Sequence, residues 1–237
     1  TTGKPDDSGV VLFMPFDGST ADYSDQNNDG TASGATFTND SAMGLGAMEF
    51  DGSDDYITVG SDPAGSYPVS FSLWLYVDSI PALRAVPLGL FSSNSNDDYQ
   101  RLSIESNGNL YATSRTSVDK HAGGYPLSTG RWYYVVATFT DATDRELFVD
   151  GVSRGTGSDS AAYAGNIDHF TIGKNDNTDD NGHFDGKVDE VRIYTKTLSA
   201  AEVSQFYEAG RRKGLILNQS QTAKNETWNA TITLHDS

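Results

Sequence analysis

The sequence predicts an all-β fold, an antiparallel jelly-roll β-sandwich that carries one short helix near its C-terminal end and a β tail. Short runs of β-branched and aromatic residues recur along the chain, with Gly, Asn, Asp and Ser between them. A helical pattern is clear only near residue 200, so helical crossovers are lacking and the strands are expected to be antiparallel. A length of 237 residues suits one large β domain.

The predicted strands follow from these runs. They cover residues 10–16, 47–50, 56–59, 69–77, 86–91, 101–106, 110–113, 132–139, 146–149, 169–172 and 187–194. The run 69–77 alternates most clearly, with Phe71 and Leu73 on one face and Trp74 and Tyr76 on the other. Because the second face carries Trp and Tyr, we expect it to be partly covered and not fully solvated.

Turn and cap residues define the ends of several elements. Asn-Gly at 107–108 and Asp-Gly at 150–151 predict hairpins with type I′ turns, because these residues tolerate positive φ. Ser199 and Glu202 form a capping box that starts the helix. Gly210 is expected to end it as a left-handed cap.

The pattern of apolar, polar and basic residues changes after the helix. We therefore predict a main domain over residues 1–210 and a separate segment over 211–237. Apolar and polar residues alternate over 227–234, which is typical of a strand. This segment is interpreted as a C-terminal β extension or as the start of a following immunoglobulin-like repeat. The chain as a whole is expected to be part of a longer surface protein with further domains.

The charge balance narrows the choice of partners. The chain has 33 acidic and 16 basic residues, a formal net charge of −17. A strongly negative field repels phosphate, so nucleic acid is excluded as a partner, and direct membrane insertion is not expected. Cation binding and solubility in salt are favoured, as in a halophilic protein or an ordinary secreted Ca²⁺-binding domain. A prokaryotic source, bacterial or archaeal, is expected from the absence of cysteine, with a halophilic archaeon as one option. There is no cysteine, so disulfides and thiolate metal sites are excluded.

A series of short motifs resembles one family. The motifs lie, in chain order, at residues 16–18, 27–31, 50–52, 71–75, 131–135, 147–151 and 186–194. Together they resemble, over residues 8–210, the laminin G-like domains of the concanavalin A-like lectin and glucanase superfamily, including pentraxin-like sandwiches. The resemblance implies a non-catalytic binding module of a secreted or cell-surface protein, whose partner is a glycan or glycoprotein.

The resemblance to pentraxins implies Ca²⁺ loops at the rim of the sandwich. Two acidic stretches flank the corresponding strands, and Ca²⁺ takes about 6–8 oxygen ligands that such loops can supply. The predicted ligand-binding residues are Asp97, Asp98, Tyr99, Arg101, Asn175, Asp176, Asp179 and Asp180, of which Asp98 and Asp176 are also predicted metal ligands. The alternative is that these are ordinary solvated acidic loops.

A second Ca²⁺ ion is predicted to join the start and the end of the domain. Asp17 and Asp29 lie in the N-terminal motifs, and Asp189 lies in the last predicted strand. A carboxylate in the middle of an apolar strand is costly unless a cation or backbone N–H groups pair with it. The alternative is that backbone amides or Arg192 hold Asp189 without an ion.

A catalytic interpretation is also open. Glu49, Asp51 and Asp54 partly match the acidic signature of laminarinase-type glucanases, which need two carboxylates on one strand face. Here the third acid is Asp and not Glu, and Gly-Ser at 52–53 is expected to bend the chain and move Asp54 off that face. The chain is therefore predicted not to be an enzyme, with a glycan hydrolase as an alternative.

Four Asn-x-Ser/Thr sequons support an extracellular, glycosylated protein. They begin at Asn39, Asn218, Asn225 and Asn229. The function predicted from the sequence is a calcium-dependent adhesion or carbohydrate-binding module at a cell surface. A structural spacer with a purely stabilising Ca²⁺ ion is the other alternative.

Overall fold

The computed structural model describes residues 7–93, 95–163, 166–176 and 182–213, without the side chains of 95–97 and 212–213. Within these ranges the chain forms strands and one helix. In order they are β1 (Val10–Met14), β2 (Thr31–Ser33), β3 (Thr36–Thr38), β4 (Ala47–Asp51), β5 (Tyr56–Val59), β6 (Val69–Val77), β7 (Arg84–Ser92), β8 (Ser95–Glu105), β9 (Asn109–Thr116), β10 (Asp119–Pro126), β11 (Trp132–Phe139), β12 (Arg145–Val149), β13 (Val152–Gly157), β14 (His169–Ile172), β15 (Asp185–Tyr194) and α1 (Ala200–Lys213).

The strands form two antiparallel sheets that face each other. The first sheet has the order β13-β12-β11-β6-β15-β4-β3, and β1 pairs with the second half of β15. The second sheet has the order β10-β9-β8-β7-β14-β5-β2. These two layers, with neighbours that are distant in sequence, confirm the predicted jelly-roll sandwich.

The core lies between the two sheets. Phe71, Leu73 and Leu75 of β6 are completely buried there, and the second sheet contributes Leu88 and Leu102. The alternation of β6 therefore arises because one face meets the opposite sheet. Burial of each such side chain contributes about 1.5–3 kcal/mol to stability.

The outer face of the first sheet carries a second apolar cluster. Trp74 of β6 and Tyr134 of β11 lie under α1, where the ring of Tyr207 contacts both. The helix is the element that covers this face, which explains why β6 carries aromatic residues on the side away from the core. The predicted partial cover of this face is confirmed.

The two predicted hairpins have different turns. Asp150 and Gly151 have φ of 53° and 78°, as a type I′ turn requires. At the other hairpin only Gly108 has positive φ, and its N–H donates to the carbonyl of Glu105. The type I′ prediction is wrong there, because the connection from β8 to β9 is one residue longer and needs a single left-handed position.

The helix begins as predicted and ends later. The Ser199 N–H donates to Glu202 Oε2 over 2.8 Å, and the Glu202 N–H donates to Ser199 Oγ over 3.3 Å, which confirms the capping box. The prediction that Gly210 ends the helix is wrong, because α1 continues to Lys213. Gly210 is needed for packing, since a Cβ there would lie 2.7 Å from Trp74 Cζ2.

Some strands have no clear signal in the sequence. The edge strand β10 contains Gly123 and Gly124, both with positive φ, and a register shift at the same place. A Cβ on Gly123 would lie 2.3 Å from a methyl carbon of Leu147, so this strand depends on residues that normally weaken strands.

The predicted C-terminal β extension, from residue 214 onward, lies outside the described residues. No helix within the described ranges has the length and apolar character that crossing a membrane requires.

Candidate functional site

A cleft opens where the connections after β4 and β6 meet the segment before β15. We call it the loop-end cleft; its volume is about 390 Å³. It is lined by Asp51, Gly52, Ser79, Ile80, Pro81, Ala82, Leu83, Arg84, Ala85, Gly182, His183 and Asp185. The cleft unites three loops that are far apart in sequence, because β4 and β6 both pair with β15.

One side of the loop-end cleft is polar. Asp51 and Asp185 are directly paired residues of β4 and β15, so their carboxylates enter the cleft at the same level. Ser79 Oγ donates a hydrogen bond to Asp185, and the Ser53 N–H donates to Asp51 Oδ1 over 2.8 Å. These bonds fix both carboxylates while leaving further oxygen lone pairs able to accept hydrogen bonds.

The other side of the cleft is aliphatic. Ile80 and Leu83 flank Pro81, and their side chains are 37% and 76% exposed. Gly108 approaches Ile80 closely, since a Cβ there would lie 3.4 Å from Ile80 Cδ1. The hairpin from β8 to β9 thus supports the aliphatic side, which keeps an apolar surface next to fixed carboxylates.

A compact acidic cluster adjoins the cleft. Asp51, Asp54 and Asp55 each offer a carboxylate oxygen within 4.8 Å of the others, so the group could hold a metal ion. Asp55 is buried and accepts the Asp51 N–H over 2.9 Å. Burial raises the pKa of Asp55, and the charges of Asp51 and Asp54 raise it further. From the sequence, Asp51 and Asp54 are predicted only as part of a partial catalytic signature, and Asp55 is predicted at no site.

Two of the three carboxylates predicted to bind a metal at the ends of the domain accept hydrogen bonds from the same loop. Asp189 is completely buried, and its Oδ2 accepts the Met43 N–H over 2.8 Å. Asp17 accepts the N–H groups of Leu45 and Gly46, the latter over 3.1 Å. One loop, residues 43–46, therefore contacts both carboxylates. Arg192 does not hold Asp189, because it pairs with Glu190 over 2.7 Å.

The state of Asp189 is unusual for a carboxylate. Burial raises its pKa to about 8; backbone hydrogen bonds from Met43 and Glu190 oppose this increase, and the charges of Glu190 and Asp17 add to it. Its Oδ1 atom is buried without a hydrogen-bond partner. Such an oxygen is a costly defect unless a cation or a proton completes it.

Asp29 is separate from this arrangement. It accepts the Asp22 N–H over 2.8 Å in the loop that follows β1. The structure therefore brings together Asp17 and Asp189 of the predicted set and assigns Asp29 a local hydrogen bond. The Glu190 backbone has φ of 54° at the bulge where β15 changes neighbours, which turns Asp189 toward the 43–46 loop.

The acidic rim predicted from the sequence is only partly described. Asp98 Oδ2 accepts the side-chain amide of Asn166 over 3.1 Å. Asp176 is paired with His169 Nε2 over 2.6 Å and with Lys174 over 3.0 Å. The hydrogen bond from His169 is the main cause that lowers the pKa of Asp176 to about 2. Both oxygens of Asp176 thus already have side-chain partners, the His169 imidazole and the Lys174 ammonium group.

Three further residues of that set are buried against each other. Arg101 is completely buried, with its guanidinium 4.1 Å from the centre of the Tyr99 ring and Nη1 2.7 Å from Asn175 Oδ1. Asp119 lies 3.6 Å from Arg101 Nη2 and accepts the Tyr99 hydroxyl. Tyr99, Arg101 and Asn175 therefore form an internal polar contact and not an open surface. Asp179, Asp180 and the side chain of Asp97 lie outside the described residues.

The proposed catalytic pair does not share the cleft. Asp51 lines it, whereas Glu49 is not among the lining residues and lies 3.9 Å from Lys187 on the outer face of the first sheet. Lys187 also lies 3.4 Å from both Asp40 and Asp78. Glu49 is thus one of several carboxylates around a single cation.

The sequon residue Asn39 is exposed just after β3, so it is accessible to modification. The sequons at Asn218, Asn225 and Asn229 lie outside the described residues.

The cleft residues Ile80, Leu83, His183 and Asp185 were not predicted as site residues. A conventional sequence signal for them is lacking, because exposed aliphatic residues in a loop become informative only once the loop is seen beside carboxylates.

Comparisons with known proteins agree with this fold. A model of the concanavalin A-like lectin/glucanases superfamily matches residues 51–204. Domain 4 of AbnA, a GH43 extracellular arabinanase from Geobacillus stearothermophilus solved in complex with arabinotriose, superimposes with a TM-score of 0.70 at 20% identity, covering 84% of this chain and 98% of that one. A search of curated protein sequences returns no match.

Two larger proteins contain a similar unit. Trypanosoma rangeli sialidase in complex with 2,3-difluorosialic acid gives a TM-score of 0.70 at 16% identity, covering 86% of this chain and 33% of the sialidase. The binding domain of botulinum neurotoxin serotype D gives 0.67 at 16% identity, covering 85% and 52%. These likenesses concern the fold, and the chain spans only part of both proteins. Because the family model covers more than half of the chain, the protein belongs to the concanavalin A-like lectin/glucanase superfamily.

Proposed function

We propose that the domain is a non-catalytic carbohydrate-binding and adhesion module, and that the loop-end cleft binds the glycan. The observation that carries this proposal is the pairing of fixed carboxylates with an exposed aliphatic side. Asp51 and Asp185 can accept hydrogen bonds from sugar hydroxyls. Ile80 and Leu83 can cover the C–H groups of the same sugar ring, so the cleft offers both kinds of contact that a sugar needs.

The comparisons support a glycan ligand. One similar domain was solved with arabinotriose and one similar protein with a sialic acid derivative. A secreted or cell-surface setting, with further domains on the same chain, fits the acidic composition and the exposed sequon at Asn39.

We also propose that binding depends on Ca²⁺ held by Asp17 and Asp189. The buried Oδ1 of Asp189, which has no hydrogen-bond partner, and the nearby Asp17 carboxylate support this proposal, because they would supply two of the oxygen ligands that Ca²⁺ needs. Bound Ca²⁺ would neutralise both carboxylates. Asp189 itself holds the 43–46 loop against β15 through the Met43 N–H, and Asp17 holds the same loop against the segment after β1 through the Gly46 N–H.

The position of Glu49 supports a non-catalytic role. A retaining glycosidase needs two carboxyl groups about 5–5.5 Å apart across one bond of the substrate. Glu49 and Asp51 lie on the same face of β4, but Glu49 lies 3.9 Å from Lys187 and does not line the cleft. Replacing Glu49 with Gln is therefore expected to leave glycan binding unchanged.

A glycan array tests the cleft. We expect Asp51→Asn, Asp185→Asn and Leu83→Ala each to reduce binding of the recognised glycans roughly tenfold or more, because each removes a direct contact. Asp144→Asn, at an exposed turn before β12, is the matched control and should bind normally. Unchanged binding by all three cleft variants would show that the glycan binds elsewhere.

The spacer alternative is separated by chelation. If Ca²⁺ at Asp189 supports the binding surface, a chelator should reduce both the melting temperature and glycan binding. If the ion only stabilises the fold, the chelator should lower the melting temperature, but glycan binding on the array should be retained below the melting transition. Asp189→Asn should reproduce the effect of the chelator, and insensitivity of that variant and of the wild type to Ca²⁺ would exclude the ion.

A further inference from the structure

A loop after β1 is held in one conformation by a single carboxylate. Asp22 accepts hydrogen bonds from the N–H groups of Phe13, Ser24 and Asn28, each over 2.8 Å, and from Ser24 Oγ over 2.7 Å. Burial alone would raise the pKa of Asp22, but these hydrogen bonds hold it below its ordinary value. The Asn28 side chain also donates to the Val11 carbonyl over 3.0 Å. The loop is therefore preorganised.

This rigid loop presents an exposed aromatic ring. Tyr23 is 63% exposed, although its N–H is fixed to the Phe13 carbonyl over 2.8 Å. Among the described residues, Tyr23 and Phe37 are the aromatic side chains with high exposure. An aromatic ring held out to solvent by a locked backbone loses little entropy when a ligand covers it, which favours binding.

The ring borders a pocket of about 240 Å³, which we call the Tyr23 pocket. It is lined by Asp7, Val10, Phe13, Tyr23, Ser24, Asp25 and Arg192. The Arg192 guanidinium lies 3.9 Å from the centre of the Phe13 ring and is fixed by Glu190 over 2.7 Å. Tyr23 meets Phe13 edge to face at 6.4 Å. Aromatic walls and fixed polar groups thus converge on one small space.

The charges at the pocket select against acidic ligands. Asp7, Asp25 and Glu190 outnumber Arg192, and the chain as a whole carries a net charge of −17. A carboxylate or sulfate on the ligand would meet this negative field. An uncharged sugar ring would instead offer C–H groups to Tyr23 and hydroxyls to Asp25 and Arg192.

We propose that the Tyr23 pocket is a second carbohydrate subsite, which takes one neutral sugar ring stacked on Tyr23. This inference rests on the proposed carbohydrate-binding function and adds a second site to it, on the β1 edge and separate from the loop-end cleft. None of the residues that line one site lines the other. Two sites on one domain would let it bind branched or clustered glycans with an avidity that neither site has alone.

The test is a titration followed by NMR on isotope-labelled protein. The probes are methyl β-D-galactopyranoside, methyl β-D-glucopyranoside and methyl α-L-arabinofuranoside as neutral sugars, and the methyl glycoside of N-acetylneuraminic acid as the charged one. We expect at least one neutral sugar to shift the amide signals of Tyr23, Ser24 and Asp25, and the charged sugar to leave them unmoved.

Three variants show which of the two sites causes each set of amide shifts. Tyr23→Ala should weaken binding at the pocket roughly fivefold to tenfold, the loss of one ring contact. Phe37→Ala, which removes another exposed aromatic ring, is the matched control and should keep it. The double variant Asp51→Asn, Asp185→Asn should lose shifts at the loop-end cleft while those at Tyr23 remain.

The outcomes for the two sites are distinguishable. Shifts at the cleft alone would overturn the second subsite and leave the proposed function intact. Shifts at Tyr23 alone would support the subsite and overturn the cleft. Equal shifts at the Tyr23 pocket with the charged sugar, or shifts that titrate with unchanged affinity in Tyr23→Ala, would overturn the neutral-sugar proposal.

Discussion

Asp189 combines a completely buried carboxylate, an unpartnered Oδ1 atom and a neighbouring acid, Asp17. A proton or a cation can relieve this arrangement. A proton is released as the pH rises, whereas a cation binds the ionised carboxylate. A cation would use the free lone pairs directly. This difference makes the pH dependence of stability informative.

Without Ca²⁺, the contribution of Asp189 to stability should fall as pH rises. Its pKa is about 8 in the folded protein, against about 3.9 for an ordinary Asp. Between these values the folded state binds a proton that the unfolded state has released, so each increase in pH favours unfolding. Melting temperatures in chelator from pH 5 to pH 8 should decline more steeply for the wild type than for Asp189→Asn. Parallel curves would contradict the raised pKa.

At the level of elements, the sequence predicts most strands but not how their ends meet. The run 69–77 is predicted with its observed bounds, because each face of β6 has its own apolar cover. The edge strand β10 is missed, since Gly123 and Gly124 carry no strand signal and are needed for close approach. Asp51 and Asp185 are adjacent only because β4 pairs with β15. Local patterns do not encode that pairing, so the cleft could not be predicted.

The contact between α1 and the first sheet provides a test at this scale. Gly210→Ala should improve helix propensity, yet a Cβ there would lie 2.7 Å from Trp74 Cζ2. Overpacking usually costs about 1–3 kcal/mol, so we expect a net loss of about 1 kcal/mol in the free energy of unfolding. Urea denaturation measures it. Ser204→Ala, an exposed position in the same helix, should be neutral or slightly stabilising; a stabilised Gly210→Ala would mean that the helix moves freely on the sheet.

At the level of the whole molecule, the excess of acidic residues opposes folding. With a net charge of −17, mutual repulsion is greatest in the compact state. The Debye length falls from about 30 Å at 0.01 M salt to about 3 Å at 1 M, so salt removes most of this repulsion. The same property that favours solubility in salt should therefore also set the ionic strength at which the domain is most stable.

We expect the melting temperature to rise steadily when NaCl is increased from about 0.01 M to about 1 M in the presence of chelator. Asp189→Asn should show nearly the same rise, because screening acts on the whole surface and not on one carboxylate. A rise confined to added Ca²⁺ would instead assign the stabilisation to specific ion binding. Calorimetric scans of both proteins in NaCl and in CaCl₂ separate the two effects.

The pairing of β1 with the second half of β15 has a mechanical consequence. Val10 lies opposite Tyr194, and the Thr195 N–H donates to the Gly9 carbonyl, so the first and last strands of the sandwich have their outer ends side by side. A pull between residues 10 and 194 separates these strands from that end, breaking their hydrogen bonds one after another and not all at once. Under tension the hydrogen bonds between β1 and β15 would open one after another from that end, and the same movement would withdraw the buried Leu12 and Met14 of β1 from the core between the sheets.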